Sequence, residues 1–145
     1  MIHESKFEIR TFHTDAFGHV NNARYLEIFE EARWQYAEAI GLIELLTERE
    51  LGFIIMDLKL RFRAPVQERD TILISTQLIT LGTASGEVLQ KVTRPDGNRV
   101  VTRCLAHFIL IDRNNGKSVP IDGDIRQLLE REMEPERRDV ISKIN

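Results

Sequence analysis

A single cysteine, Cys104, stands among the 145 residues, so no intrachain disulfide can form and a reducing, cytoplasmic compartment is the simplest expectation. No apolar run approaches the roughly 20 residues of a membrane span. The opening Met-Ile-His-Glu-Ser-Lys-Phe has no signal-peptide apolar region. Neither sign of charge dominates: 20 Lys and Arg against 23 Asp and Glu give a net charge of −3, and their interspersion leaves no broad basic face for nucleic acid. No glycine-rich phosphate loop occurs, and no His, Cys or carboxylate spacing recommends a metal. No repeat, low-complexity tract or interdomain linker divides the chain, whose length suits one domain with one core.

What is present is a change of period along the chain. Residues 6 to 12 alternate, with Phe7, Ile9 and Thr11 opposite Lys6, Glu8, Arg10 and Phe12, which predicts a first strand. From Asn22 the spacing becomes three and four: Tyr25, Phe29, Ala32, Tyr36 and Ile40 share a stripe, and Glu27, Glu30, Glu31, Gln35 and Glu38 hold the other side. Gly41 supplies a left-handed stop, so a helix of about five turns is expected. Residues 44 to 50 read as a link.

Strands follow. Met56, Leu58, Leu60 and Phe62 alternate with Asp57, Lys59, Arg61 and Arg63, and Pro65 ends that strand. Residues 71 to 81, 87 to 94 and 99 to 112 read as three more, the last two joined by the turn Pro95-Asp-Gly-Asn98. One strand, one long helix and four strands are best satisfied by an α+β fold, an antiparallel sheet of about five strands wrapped around the helix. Residues 121 to 133 suggest a terminal helix, giving a single domain over 1–133 and a charged, mobile tail over 134–145.

The chemistry concentrates in residues 13 to 27, His-Thr-Asp-Ala-Phe-Gly-His-Val-Asn-Asn-Ala-Arg-Tyr-Leu-Glu. A carboxylate, Asp15, and an imidazole, His19, precede a helix that Asn21 or Asn22 can cap. The first-turn N–H groups of that helix attract an oxyanion or a polarised carbonyl. Asp-x-x-Gly-His-Val-Asn-Asn-x-x-Tyr-Leu-x-x-Phe-Glu-Glu-Ala-Arg, from Asp15 to Arg33, resembles the opening signature of acyl-CoA thioesterases of the 4-hydroxybenzoyl-CoA thioesterase type. The His-Val-Asn-Asn form is most similar to the long-chain acyl-CoA thioesterase III branch and to plant acyl-ACP thioesterases. The likeness spans residues 4 to 130, with a shorter echo at Phe62-Arg-Ala-Pro65 and Asp70. There Arg69 stands where such proteins often carry glycine.

The resemblance implies the hotdog fold and assigns Asp15 as nucleophile or general base of thioester hydrolysis, two roles the residues alone leave open. A carboxylate in such a loop otherwise serves its own turn. His19 corresponds to a histidine of the plant branch, but Phe17 replaces the asparagine between, so His19 is expected to orient Asp15 or a water. Asn22, seven residues after Asp15, falls where the resembling enzymes place the backbone N–H that polarises the thioester oxygen. Gly18 would admit substrate close to the loop, and Tyr25 and Phe29 would line the acyl pocket. Glu27, Glu30 and Glu31 fit a solvated or intersubunit face better than a catalytic one.

Lys59, Arg61 and Arg63 suit a solvated sheet face. The basic cluster that the aromatic-thioesterase branch uses for coenzyme A phosphates is missing from Leu81-Gly-Thr-Ala-Ser85, which leaves Lys91, Arg103 or Lys117 for that task. Cys104 reads as a small core residue, and strand alternation sets it on the face opposite His107. The expected activity is hydrolysis of medium- to long-chain fatty acyl-CoA to free acid and coenzyme A, without cofactor or metal. A homodimer or homotetramer is expected, with active sites between subunits and acyl-CoA as the only ligand. The rivals are a hotdog hydratase or dehydratase, whose downstream histidine motif is missing, and a non-catalytic acyl-CoA or acyl-ACP binding module, which would have no need of Asp15.

Overall fold

The computed structural model describes residues 1–97 and 99–133. Its elements run β1 His3–Glu8, α1 Asn22–Ala39, α2 Leu42–Glu48, β2 Leu51–Phe62, β3 Thr71–Leu81, β4 Ser85–Thr93, β5 Val100–Asp112 and α3 Gly123–Met133. The five strands form one sheet in the order β1-β3-β4-β5-β2, every neighbouring pair antiparallel. This is the expected α+β, hotdog arrangement.

Helix α1 is 18 residues long and buries Tyr25, Ile28, Phe29, Ala32 and Tyr36. Its stripe meets Ile72 and Ile74 of β3, Val92 of β4 and Val101 and Cys104 of β5 in one core cluster. A second cluster joins Leu42 and Leu46 of α2 to Ile125 and Leu129 of α3 over Leu78, Val88 and Ala106. One buried polar bridge crosses the first cluster. Gln90, fully buried, accepts from Arg33 at 2.9 Å and donates to the Phe29 carbonyl at 3.0 Å and to Thr76 Oγ1 at 3.1 Å. It thereby sets the position of α1 along the sheet.

Four expectations need correction. The first strand is His3–Glu8 rather than 6–12, because Thr11–His13 coil into a 3₁₀ turn ahead of the loop. The link at 44–50 is mostly helix α2, formed because Leu42 and Leu46, four residues apart, have an apolar surface to cover. β2 begins at Leu51, and a bulge between Ile55 and Asp57 turns Met56 outward, 56% exposed, so Met56 does not share the inward face of Leu58 and Leu60. β4 spans Ser85–Thr93 rather than 87–94. The expected tail, 134–145, and Asn98 of the hairpin turn lie outside the described residues.

Candidate active site

The loop before α1 is folded by its own short-range chemistry. Asp15 Oδ1 accepts from the Phe17 amide at 2.9 Å, the Gly18 amide donates to the Asp15 carbonyl at 3.0 Å, and the Asp15 amide donates to the His19 carbonyl at 2.9 Å. Gly18 takes φ +76°, open to glycine at little cost, and this closes the turn. The local-turn role of Asp15 is therefore present, yet it uses one carboxylate oxygen; Oδ2 accepts no hydrogen bond among the described residues and the side chain is exposed.

The loop leans on the segment after β2. The Val20 amide donates to the Val66 carbonyl at 2.8 Å, and His19 forms a bridge with Gln67. That segment is itself buckled: Asp70 Oδ2 accepts from the Gln67 amide at 2.9 Å, and Arg94 donates to the Pro65 carbonyl at 2.5 Å. Arg69 adopts φ +69°, so the left-handed turn that glycine would make elsewhere is made here by a side-chain-bearing residue. The Arg69 amide then reaches the Ile9 carbonyl at 2.7 Å.

Asn21, not Asn22, is the N-cap; its side chain accepts from the Ala23 amide at 2.8 Å while its own amide donates to the His13 carbonyl at 2.8 Å. The Tyr25 amide reaches the Asn21 carbonyl at 3.2 Å. Among the described residues the amides of Asn22 and Arg24 have no protein acceptor, so two donors of the first turn remain open. Arg24, held against Glu27 at 2.9 Å, adds a cation beside them. Partial burial, with Arg24 nearby, pushes the His13 imidazole below its usual range.

Asp15, Gly18, His19 and Asn22 thus share one loop and helix start. Asp15 and His19 are joined through the main chain, and no side-chain hydrogen bond links them among the described residues. Tyr25 and Phe29 sit differently: they are 3% and 1% exposed, closed into the core of their own chain rather than lining an open groove. Burial pushes the Tyr25 phenol above its usual range. Around them Leu26, Phe62, Phe12 and Phe17 are exposed, Phe17 by 86%, and the Phe62 ring lies 5.5 Å from that of Tyr25.

Cys104 is fully buried, and burial pushes its thiol up to about 11. His107 points to the other face, where it meets Asp57 at 3.2 Å. With Thr80, Glu87 and Ser85 these two line an open cavity of about 430 Å³ on the outer side of the sheet. Alternation had placed Asp57 on the charged face, but the cross-strand register that aligns it with His107 is set by the bulge at Met56, which residue spacing does not reveal. Among the described residues no cluster of three His, Cys, Asp or Glu is arranged to hold a metal. No described helix is long and apolar enough to cross a membrane.

A sheet wrapped on a capped central helix, with a carboxylate in the loop just ahead of it, is the architecture of a thioesterase class, and comparison with known proteins agrees. The profile of the thioesterase-like superfamily matches residues 9–129, and the chain belongs to that family. Over 127 residues it is 33% identical to the long-chain acyl-CoA thioesterase FadM of Escherichia coli, covering 88% of this chain and 96% of that protein. It is 32% identical over 76 residues to the acyl-CoA thioesterase YbgC of Haemophilus influenzae, 50% of this chain and 56% of the other. The crystal structure of YbaW, a probable thioesterase from Escherichia coli, superposes with a TM-score of 0.82 at 33% identity, covering 90% of this chain and 98% of that one.

Proposed function

We propose that the protein hydrolyses medium- to long-chain fatty acyl-CoA, releasing free fatty acid and coenzyme A in the cytoplasm. The observation that carries this reading is the exposed Asp15 carboxylate, with Oδ2 open, on a loop hydrogen-bonded into the start of a helix whose Asn22 and Arg24 amides have no acceptor. The likeness to FadM over most of both chains supports the substrate class.

Two routes use the same groups. In one, Asp15 attacks the thioester carbonyl, the C–S bond breaks with departure of the coenzyme A thiolate, and water cleaves the resulting anhydride. In the other, Asp15 takes a proton from a water that attacks the same carbon. In both, negative charge grows on the thioester oxygen, and the Asn22 amide at the helix N-terminus stabilises it. His19 orients Asp15 or the water, and Gly18 lets the thioester approach the loop. The reaction needs no cofactor or metal.

The acyl chain runs between α1 of one subunit and the sheet of a second, with Tyr25 and Phe29 as the wall behind it and Leu26 and Phe62 on its exposed side. The second subunit follows from β2, a 12-residue strand at the sheet edge that carries exposed Ile54 and Met56; an open edge of that length favours pairing with another copy. A homodimer, or a homotetramer built from it, results.

Each methylene buried in such a pocket contributes about 0.8 kcal/mol. In a panel of acyl-CoA substrates followed by free-thiol release, kcat/KM should rise with chain length until the pocket is full, exceeding acetyl-CoA and 4-hydroxybenzoyl-CoA. Fastest turnover on a short or aromatic thioester would refute the substrate class, and no thiol release from any of them would refute the activity.

A further inference from the structure

The outer face of the sheet, turned away from α1, is ordered in rows. Cross-strand register aligns Thr80, Glu87, His107 and Asp57 as one row over β3, β4, β5 and β2. The next row along the strands is Gln77, Leu89, Leu105 and Lys59, and the one beyond is Ser75, Lys91, Arg103 and Arg61. Leu89 packs with Ile79 and Leu105 as a small apolar cluster separate from the main core. The face is therefore acidic at one end, apolar in the middle and basic at the other.

Three cations directly opposite one another on neighbouring strands repel. Among the described residues Arg61 and Arg103 form no ion pair. Asp57 keeps most of its side chain in solvent, its one partner being the His107 ring. The two charged rows lie four residues apart along each strand, roughly 13 Å, with the apolar row midway.

This pattern is complementary to itself under one operation. A two-fold axis lying between two such faces and running across the strands sets the acidic row of each copy over the basic row of the other, twice, and leucine on leucine at the centre. An axis along the strands would instead set like charges together. We propose that this sheet face is an interface between two copies of the chain, packed face to face with their strands antiparallel. It is distinct from the β2 edge and goes beyond the catalytic reading, on which it does not depend. Any sheet-edge dimer would be doubled by it.

The test exchanges the charges. One variant carries Asp57→Lys and Glu87→Lys, the other Arg61→Glu and Arg103→Glu; each is followed by analytical ultracentrifugation at low salt, alone and mixed in equal amounts. Wild type should sediment at twice the mass of either variant alone, and the mixture should regain the wild-type mass, because a wholly basic face then meets a wholly acidic one. That recovery also shows that both variants are folded. Halving from tetramer to dimer reports this face with edge pairing intact, whereas halving from dimer to monomer reports this face without edge pairing. A variant that alone keeps the wild-type mass, or a mixture that fails to regain it, overturns the proposal. So does a basic row that serves only a free anion: loss of ADP binding in the Arg61→Glu, Arg103→Glu variant with no change in mass.

Discussion

Arg33 Nη1 donates to Oε1 of Gln90 at 2.9 Å, so a guanidinium on α1 is anchored to a fully buried amide on β4. Burial holds the Arg33 pKa below its ordinary value, which makes the loss of its acceptor costly. Gln90 also donates to the Phe29 carbonyl, so the same side chain fixes the height of the helix whose first turn faces Asp15.

Replacing Gln90 by Leu should therefore destabilise the protein by about 1–3 kcal/mol, the usual cost of leaving buried polar partners unmatched. Urea unfolding of Gln90→Leu against wild type measures it. A midpoint unchanged or raised would show that the bridge contributes nothing.

Arg69 gives a second prediction. At φ +69° a β-branched side chain is strongly disfavoured, so Arg69→Val should cost about 1–2 kcal/mol, whereas Arg69→Gly should stay close to wild type. Thermal unfolding of both variants decides it. Equal stability of the valine variant would mean that the turn had relaxed to another conformation.

Much of this was open to inspection in the residues themselves. The spacing from Tyr25 to Tyr36 and the glycine at 41 mark the long helix because an apolar stripe of that length must be buried, and the alternation from Thr71 to Leu81 marks β3 to the residue. The misses have physical causes. Helix α2 is only 7 residues, too short for its period to declare itself, and its helicity comes from packing against α3 and the sheet. The bulge at Met56 inverts the side-chain faces before it, which alternation alone cannot anticipate. Arg69 carries the turn expected of a glycine because hydrogen bonds from Arg69 and Gln67 on either side hold it there. In the site, Asp15, His19 and Asn22 were marked by their place ahead of a capped helix. The closure of Tyr25 and Phe29 into the core was not, since an apolar helix stripe looks the same whether it faces a core or a ligand.

His19 provides a graded test of the site. Its backbone bridges Gln67 and accepts from Asp15, while its side chain makes no hydrogen bond to Asp15 among the described residues. His19→Ala should thus lower kcat less than Asp15→Asn does, with KM little changed. An equal or greater loss of kcat would assign the imidazole a direct part in the reaction.

The most direct test of the account is the turnover of Asp15→Asn with a long-chain acyl-CoA, read as thiol release from a protein whose circular dichroism and mass match wild type. Asparagine can still accept from the Phe17 amide, so the turn is preserved while the base or nucleophile is lost. The expected result is a fall in kcat of at least about 10²-fold. Near-normal kcat in the folded variant would contradict the assignment of Asp15 and with it the proposed mechanism.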